Sequence, residues 1–307
     1  MKICVLYGGT SAEREVSLSS GKGIIEALKK KNHDVIGIDF RGTKECLLQI
    51  MNLNVDLFFI GLHGRLGEDG RVQGLLDLLK IPYVGSNVLG SALAMDKARS
   101  KKMFALKGIR VAKEKLVEKH SFIKESFSHE LTYPVVVKPN HEGSTIGLTI
   151  AQNEAELIVG IDSAFNHDDV VLLEEFISGQ EVTVAVMGNK GNVKALPIVE
   201  IVPKNAYYDY ESKYAPGMSE HIVPARVSDE MTNLLQEQAV LAHEALGCDV
   251  YSRVDFIVPK DGGNPVILEV NTLPGMTPTS LYPDAAREIG LSYEDMIETL
   301  VELSMKK

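Results

Sequence analysis

The sequence predicts a mixed α/β and α+β protein: an N-terminal parallel α/β domain, then a two-part unit of shorter helices and strands that encloses a cleft. Three observations carry this. Apolar strand-like runs alternate with helical stretches over about the first 90 residues. From Met95 the pattern loosens into short strands around a glycine-containing hinge, HEGSTIG. After residue 180 the strands alternate apolar and polar side chains with period two, as antiparallel strands covered on one face do.

In order along the chain, KICVLY is an apolar strand, and GGTSAEREVSLSSGKGIIEALKKK runs through a glycine-rich turn into a helix. DVIGIDF is a second strand, LNVDLFFIGLHG a third, VQGLLDLLK a helix and IPYVG a short strand. Parallel sheets bind ligands beyond the carboxyl ends of their strands, so the loops GGTSAE and GLHGRLGEDG are expected to share one edge. Residues 1–95 form this domain. AMDKARSKKMFALKG then has helical composition, while YPVVVKP (133–139) and DVVLLEEF (169–176) are strands separated by the hinge and a second helical piece. Residues 96–179 thus make a small α+β unit that needs its neighbours to complete a cleft. In residues 180–307, EVTVAVMG and NVKALPIVEI read as antiparallel strands, and PKNAYYDYESKYAPGMSEHIVP has no regular period. A helix over 228–246 precedes SRVDFIVP, the turn DGGNP and the returning strand VILEVNT. The last stretch, DAAREIGLSYEDMIETLVELSMKK, is mostly helical.

Bulk composition narrows the class. The 307 residues suffice for two or three domains, and 45% hydrophobic with 24% charged residues describes an ordinary soluble chain. No apolar run approaches the roughly 20 residues that cross a bilayer, and MKICVLYGGT has neither a basic leader nor a small-residue cleavage site, so no membrane insertion is expected. A net charge of -10, from 32 basic and 42 acidic side chains, disfavours nucleic acid as a partner without excluding a local anion pocket. Cys4, Cys46 and Cys248 are odd in number and lack metal-ligand spacing. Free thiols in a reducing, cytoplasmic compartment are the expectation.

Period-two geometry supplies the first chemical clue. In SRVDFIVP, Arg253, Asp255 and Ile257 share a face; in VILEVN, Ile267, Glu269 and Asn271 do. Adjacent strands would bring Asp255, Glu269 and Asn271 together as hard oxygen ligands suited to magnesium, with nucleotide phosphates completing its shell. The alternative is a solvated sheet face with incidental ion pairs. Lys97 and Lys138 are each ordinary surface charges when taken alone, yet Lys138 ends an apolar strand just before HEGSTIG, whose amides and hydroxyls suit phosphate oxygens. This arrangement fits ATP better than NAD; with neither GxGxxG after the first strand nor GxxxxGK[ST] present, the motifs support neither a dinucleotide-binding Rossmann site nor an ordinary P-loop. Glu174, Phe176 and Ile177 end a strand and Glu181 begins the next, offering an adenine slot and a ribose carboxylate or simply an acidic hairpin. Glu13 and His63 lie in the two loops of the first domain: Glu13 could pair with an ammonium group, and His63 could bind a carboxylate or move a proton. Tyr214, in ESKYAPG, could anchor a loop by its hydroxyl or pack by its ring.

Taken together, YGGTSAEREVSLSSG, FIGLHGRLGEDG, AMDKARSK, VVVKPNHEGSTIG, EEFISGQE, YDYESKYAPG, SRVDFIV and ILEVNTLPGMTPTSLYP closely resemble the D-alanine–D-alanine ligase family of the ATP-grasp enzymes. Order and spacing match over nearly the whole chain. The resemblance implies a three-part fold in which the 96–179 and 180–307 units grasp ATP. It implies that Lys97 and Lys138 contact phosphates, that Glu174, Phe176 and Ile177 line the nucleotide pocket, and that Glu181 addresses ribose. Asp255, Glu269 and Asn271 would hold magnesium, two ions as a rule, with manganese as a substitute. Glu13 would recognise the first D-alanine ammonium, with His63 in the same polar network, while Ser144 and Tyr214 would join Glu13 in tying mobile loops over the centre. Arg253 and the Gly275 amide match oxyanion-stabilising positions, and Ser280 with the Leu281 backbone the site of the second substrate's carboxylate. A cytoplasmic homodimer supplying cell-wall precursors is also implied, with D-alanine–D-lactate ligation, or another ATP-grasp carboxylate–amine ligation, as the nearest competing activity.

Overall fold

A computed structural model describes residues 1–203 and 219–307. In its first unit β1 (Lys2–Tyr7), β2 (Asp34–Asp39), β3 (Leu57–Ile60) and β4 (Tyr83–Val84) form a parallel sheet in the order β2-β1-β3-β4. All four residues of β3, LFFI, are buried, as a strand covered by helices on both faces requires. Between the strands run α1 (Arg14–Lys30), α2 (Lys44–Met51) and α3 (Arg71–Leu79), and α4 (Val88–Met95) follows β4. The two loops expected to share an edge do so: the Ser11 hydroxyl donates to the His63 carbonyl at 2.8 Å.

The stretch of helical composition that begins at Ala94 holds the boundary between two helices. Asp96 leaves helical geometry and caps α5 (Lys97–Leu106), accepting from the Arg99 amide at 3.0 Å. β5 (Glu114–Glu118), β6 (Val135–Pro139), β7 (Thr149–Ala151) and β8 (Val170–Glu175) then form an antiparallel sheet in the order β5-β8-β6-β7, with α6 (Glu154–Ala164) packed on β6 and β7.

The third unit is a five-stranded antiparallel sheet ordered β11-β10-β9-β12-β13. Its strands are β9 (Gly179–Gly188), β10 (Lys194–Pro203), β11 (Ser219–Ile222), β12 (Val250–Pro259) and β13 (Val266–Asn271), with α7 (Asp229–Leu246) between β11 and β12. The terminal helical stretch divides into α8 (Leu281–Glu288) and α9 (Tyr293–Ser304). Gly290, at φ 80°, makes the break, and Ser292 caps α9.

The first sheet does not close by itself. Tyr251, Tyr282, Met296 and Ile297 of the last unit belong to the same apolar cluster as Ile3, Leu6 and Phe58. Against α9, Lys30 at the end of α1 pairs with Glu294, and Nε2 of His33, between α1 and β2, lies near Glu298, both at 2.7 Å. Cys4 and Cys248 are buried, Cys46 is half-buried, and all three are free thiols. Among the described residues no helix is long and apolar enough to cross a membrane.

One buried side chain makes stability depend on pH. His243, on α7, is 1% exposed, with Nδ1 2.8 Å from the Ser252 hydroxyl. Burial pushes its pKa down to about 4. The unfolded chain therefore takes up a proton below about pH 6.5 that the folded protein refuses, so the stabilisation is full above that pH and is lost towards pH 4. The loss from this side chain is on the order of 3 kcal/mol. Unfolding curves recorded from pH 7.5 to 4.5 should fall more steeply for the parent than for His243→Gln; equal slopes would remove the explanation.

Candidate active site

β12 and β13 set Arg253 directly opposite Asn271, and Asp255 opposite Glu269. Two carboxylates facing each other repel, and cations on either side offset this. Asp255 Oδ1 accepts from the Thr183 hydroxyl at 2.5 Å and from Arg253 Nε at 2.9 Å; Oδ2 accepts from Arg253 Nη2 at 2.9 Å and Asn271 Nδ2 at 3.0 Å. Glu269 Oε2 lies 3.2 Å from the Lys97 ammonium. Ile267 departs from the expected face. The pairing shifts register between Asp255 and Phe256, so that Phe256 faces Ile267. Ile267 then enters the core at 1% exposure, and Leu268 joins Glu269 in lining the cleft. A bulge interrupts the alternation in this way.

Could this group hold a metal? Among the described residues no cluster of three or more His, Cys, Asp or Glu side chains is suited to an ion. Asp255, Glu269 and the Asn271 amide instead offer a few hard oxygens, leaving the remaining positions to substrate oxygens and water. That composition fits a magnesium-like ion that arrives with phosphate, and not a zinc cage. Asn271 donates to Asp255 through its amide nitrogen, so its amide oxygen is the atom that would take part.

A cleft of about 490 Å³ lies between the second and third sheets. Val136, Ile150, Phe176 and Leu268 give it apolar walls, while Lys97, Lys138 and Glu181 supply charge. Lys97 opens α5 and donates to the Glu142 carbonyl at 2.6 Å. Lys138, on β6, lies 2.6 Å from Glu174 Oε2. Ile177 and Glu174 also line this space. The Glu174 carboxylate is engaged by two ammonium groups, Lys138 and Lys101. Burial raises its pKa, but the two lysines outweigh this and hold it below the usual carboxylate range.

A second cavity, about 300 Å³, is lined by Glu13, His63, Arg253, Gly275, Ser280 and Leu281 among others. His63 Nδ1 must donate to the Leu273 carbonyl at 2.9 Å, since a carbonyl only accepts. Burial, with a contribution from Arg253, depresses its pKa and keeps the ring neutral, so Nε2 accepts from the Ser20 hydroxyl at 2.9 Å. Ser20 Oγ in turn accepts from the Met276 amide at 3.2 Å. This chain of bonds from α1 fixes the Leu273–Met276 turn, and a Cβ on Gly275 would sit 3.1 Å from Ser280 Oγ. Ser280 precedes α8, whose first amides are oriented to receive an anion. The Ser144 hydroxyl donates to Glu13 Oε1 across the cavity mouth. To reach it, Ser144 and Thr145 adopt φ of 51° and 63°, a left-handed conformation unusual for side chains other than glycine.

All the expected site residues therefore line one cavity or the other, except Tyr214, which lies outside the described residues. Two functional groups escaped the sequence reading. Glu68 accepts from the Gly64 amide at 2.7 Å and the Leu273 amide at 3.3 Å inside the second cavity. Burial, followed by the Glu13 charge, raises its pKa to about 8, against the two backbone amides that favour the carboxylate. Its spacing from His63 was visible in GLHGRLGEDG, but the polar loop gave no sign of burial. Lys101, at 1% exposure, is the other. Gly143, Ser144 and Glu269 line both cavities, so the two spaces meet there.

Comparison with known proteins agrees with this geometry. The profile described as D-ala D-ala ligase C-terminus matches residues 103–302, and that described as D-ala D-ala ligase N-terminus matches 2–49 and 44–86. A D-alanine–D-alanine ligase of Halalkalibacterium halodurans is 69% identical over 307 residues, covering 100% of both chains. Another, of Pelotomaculum thermopropionicum, is 48% identical over 100% of this chain and 97% of its own. Among solved structures, D-alanine–D-alanine ligase from Bacillus anthracis complexed with ATP superimposes with a TM-score of 0.86 at 33% identity, covering 100% of this chain and 98% of that one. The VanG D-Ala:D-Ser ligase from Enterococcus faecalis gives 0.82 at 35% identity, with 99% of each chain covered. By these matches, spanning both halves of the sequence, the chain belongs to the D-alanine–D-alanine ligase family.

Proposed function

We infer that this protein joins two D-alanine molecules into D-alanyl-D-alanine, converting ATP to ADP and phosphate by way of D-alanyl phosphate. The observation that carries the reading is the junction of a nucleotide-sized cleft with an amino-acid-sized cavity at Gly143, Ser144 and Glu269. An acyl phosphate has to form at such a meeting point. The 69% and 48% identical relatives, both D-alanine–D-alanine ligases, favour an amine over D-lactate as acceptor.

In this reading the adenine occupies the apolar slot at Val136, Ile150, Phe176 and Leu268, with Glu181 towards the ribose. Glu13 holds the ammonium of the first D-alanine, with His63 in the same network. The carboxylate of that substrate attacks the terminal phosphorus of ATP, the bond to the bridging oxygen breaks, and ADP departs. Lys97 and Lys138 take up charge on the phosphate oxygens during the transfer. A divalent metal held by Asp255, Glu269 and Asn271, two magnesium ions on the family pattern with manganese as substitute, would supply charge neutralisation there. The neutral amine of the second D-alanine then attacks the acyl carbon. Arg253 and the Gly275 amide stabilise the resulting oxyanion, while Ser280 and the Leu281 amide hold the acceptor's carboxylate. Phosphate leaves and the amine's proton is released. The Ser144–Glu13 bond closes the 141–147 loop over the centre, excluding water, the competing nucleophile. Tyr214 is assigned to the same closure on the family resemblance alone. Domain limits at 1–95, 96–179 and 180–307 rest on the changes of sequence pattern, a cytoplasmic compartment on the three free cysteines together with the resemblance, and a homodimer and a role in peptidoglycan precursor synthesis on the resemblance alone.

The purified protein incubated with magnesium, ATP and D-alanine is expected to yield ADP and the dipeptide in equal amounts by mass spectrometry. Parallel reactions with L-alanine should give no product, and D-lactate little at neutral pH. ADP without dipeptide, or a D-lactate ester as the main product, would sink the assignment.

A further inference from the structure

Lys101 stands one helical turn beyond Lys97 on α5, so both ammonium groups leave the helix on the same side. The Lys97 ammonium reaches the carboxylate of Glu269. That of Lys101 is buried, 2.8 Å from Glu114 Oε2 and hydrogen-bonded to Glu174 Oε1. β5 and β8 place Glu114 directly opposite Glu174. Two carboxylates in that register repel, and Lys101 lies between them. The other oxygen of Glu174 is held by Lys138, whose side chain is 12% exposed and faces the nucleotide cleft.

This makes a row, Glu114–Lys101–Glu174–Lys138, that runs from β5 to the cleft, with the Lys101 ammonium buried between the two carboxylates. For Lys138 to meet a phosphate it must leave Glu174. A buried carboxylate stripped of its only cation would oppose that departure strongly. With Lys101 in place, Glu174 stays compensated after Lys138 has gone.

We propose that Lys101 is a positioning residue for the nucleotide: it keeps Glu174 paired so that the Lys138 ammonium can be released from that carboxylate to the phosphates of ATP. The role rests on the ATP site described above, and it differs from simple structural support. If Lys101 only relieved repulsion between Glu114 and Glu174, removing either carboxylate would make it dispensable. If it frees Lys138, only removal of the Glu174 charge does so.

Two double variants separate these cases, and each preserves the net charge of the parent: Lys101→Met with Glu114→Gln, and Lys101→Met with Glu174→Gln. The probe is magnesium tripolyphosphate as a competitive inhibitor against ATP, because it has no adenine and reports only on the phosphate-binding cations. The Glu114→Gln double variant is expected to bind tripolyphosphate about tenfold more weakly than the parent, since Glu174 still retains Lys138. The Glu174→Gln double variant, in which no carboxylate retains Lys138, should bind tripolyphosphate about tenfold more tightly than the Glu114→Gln double variant. In the first variant KM for ATP should rise while KM for D-alanine stays within about threefold. Equal inhibition constants in the two variants, or the reverse order, would overturn the proposal. A parent protein that makes no dipeptide from ATP and D-alanine would fault the ATP-site reading instead.

Discussion

Replacing Arg253 with methionine is expected to lower the rate of dipeptide synthesis by about a thousandfold, the upper range for loss of one oxyanion donor in a water-poor site. The guanidinium is fixed by two parallel bonds to Asp255, both 2.9 Å, so it is oriented before substrate arrives. Little entropy remains to be lost when charge develops on the acyl oxygen. Lysine would keep the charge without the planar fork, and Arg253→Lys should recover only part of the rate. The first chemical step offers an internal control. Scrambling of an oxygen label from the β,γ-bridge of ATP into its β-nonbridging positions, in the presence of D-alanine, reports reversible acyl phosphate formation independently of how much dipeptide appears. It should survive in Arg253→Met to within about tenfold of the parent. If scrambling and peptide synthesis fell together by the same large factor, Arg253 would belong to phosphoryl transfer and not to the oxyanion.

The clarity of Arg253, Asp255, Glu269 and Asn271 in the sequence has a simple cause. Antiparallel strands with one covered face repeat every two residues, so a charged face stands out against Val254, Phe256 and Val270. The limit of the same rule appears at Ile267, where one bulge moves a residue from the expected face into the core. Lys101 was illegible for another reason. On a helix rich in lysine it looks like surface charge, and only the β5–β8 pairing places two carboxylates around it. β5 itself, EKLVE, and β11, SEHI, are short and polar, so neither announces a strand. The alternation of strands and helices makes the N-terminal parallel sheet legible, yet its core includes Tyr282 and Met296 far along the chain. Long-range burial leaves no local period to detect.

Asp255→Asn should be the most damaging single change at the face proposed to hold the metal, with kcat/KM for ATP reduced by at least about a thousandfold. The substitution keeps the shape of the side chain and removes two things at once. A carboxylate accepts on both oxygens, and here each receives one arm of Arg253, with Thr183 on the first and Asn271 on the second. An amide accepts on one side only, so its NH2 must face a guanidinium nitrogen, the Thr183 hydroxyl or the Asn271 amide. The fork is then broken, and Arg253 loses one of its two bonds to residue 255 in a site where Asp255 is only 5% exposed. The formal negative charge is also gone, so Glu269 alone faces a divalent ion. Titration with manganese, followed through the relaxation of water protons in the presence of ADP, reads the second effect without any turnover. Affinity should fall by at least about tenfold in Asp255→Asn. Thr183→Val makes the contrast: it removes one hydroxyl donor but leaves the charge and the guanidinium fork, and its manganese affinity should stay within about threefold of the parent. Unchanged manganese binding in Asp255→Asn would mean that the ion is held elsewhere, and the facing carboxylates of β12 and β13 would then serve only to orient Arg253 and Lys97.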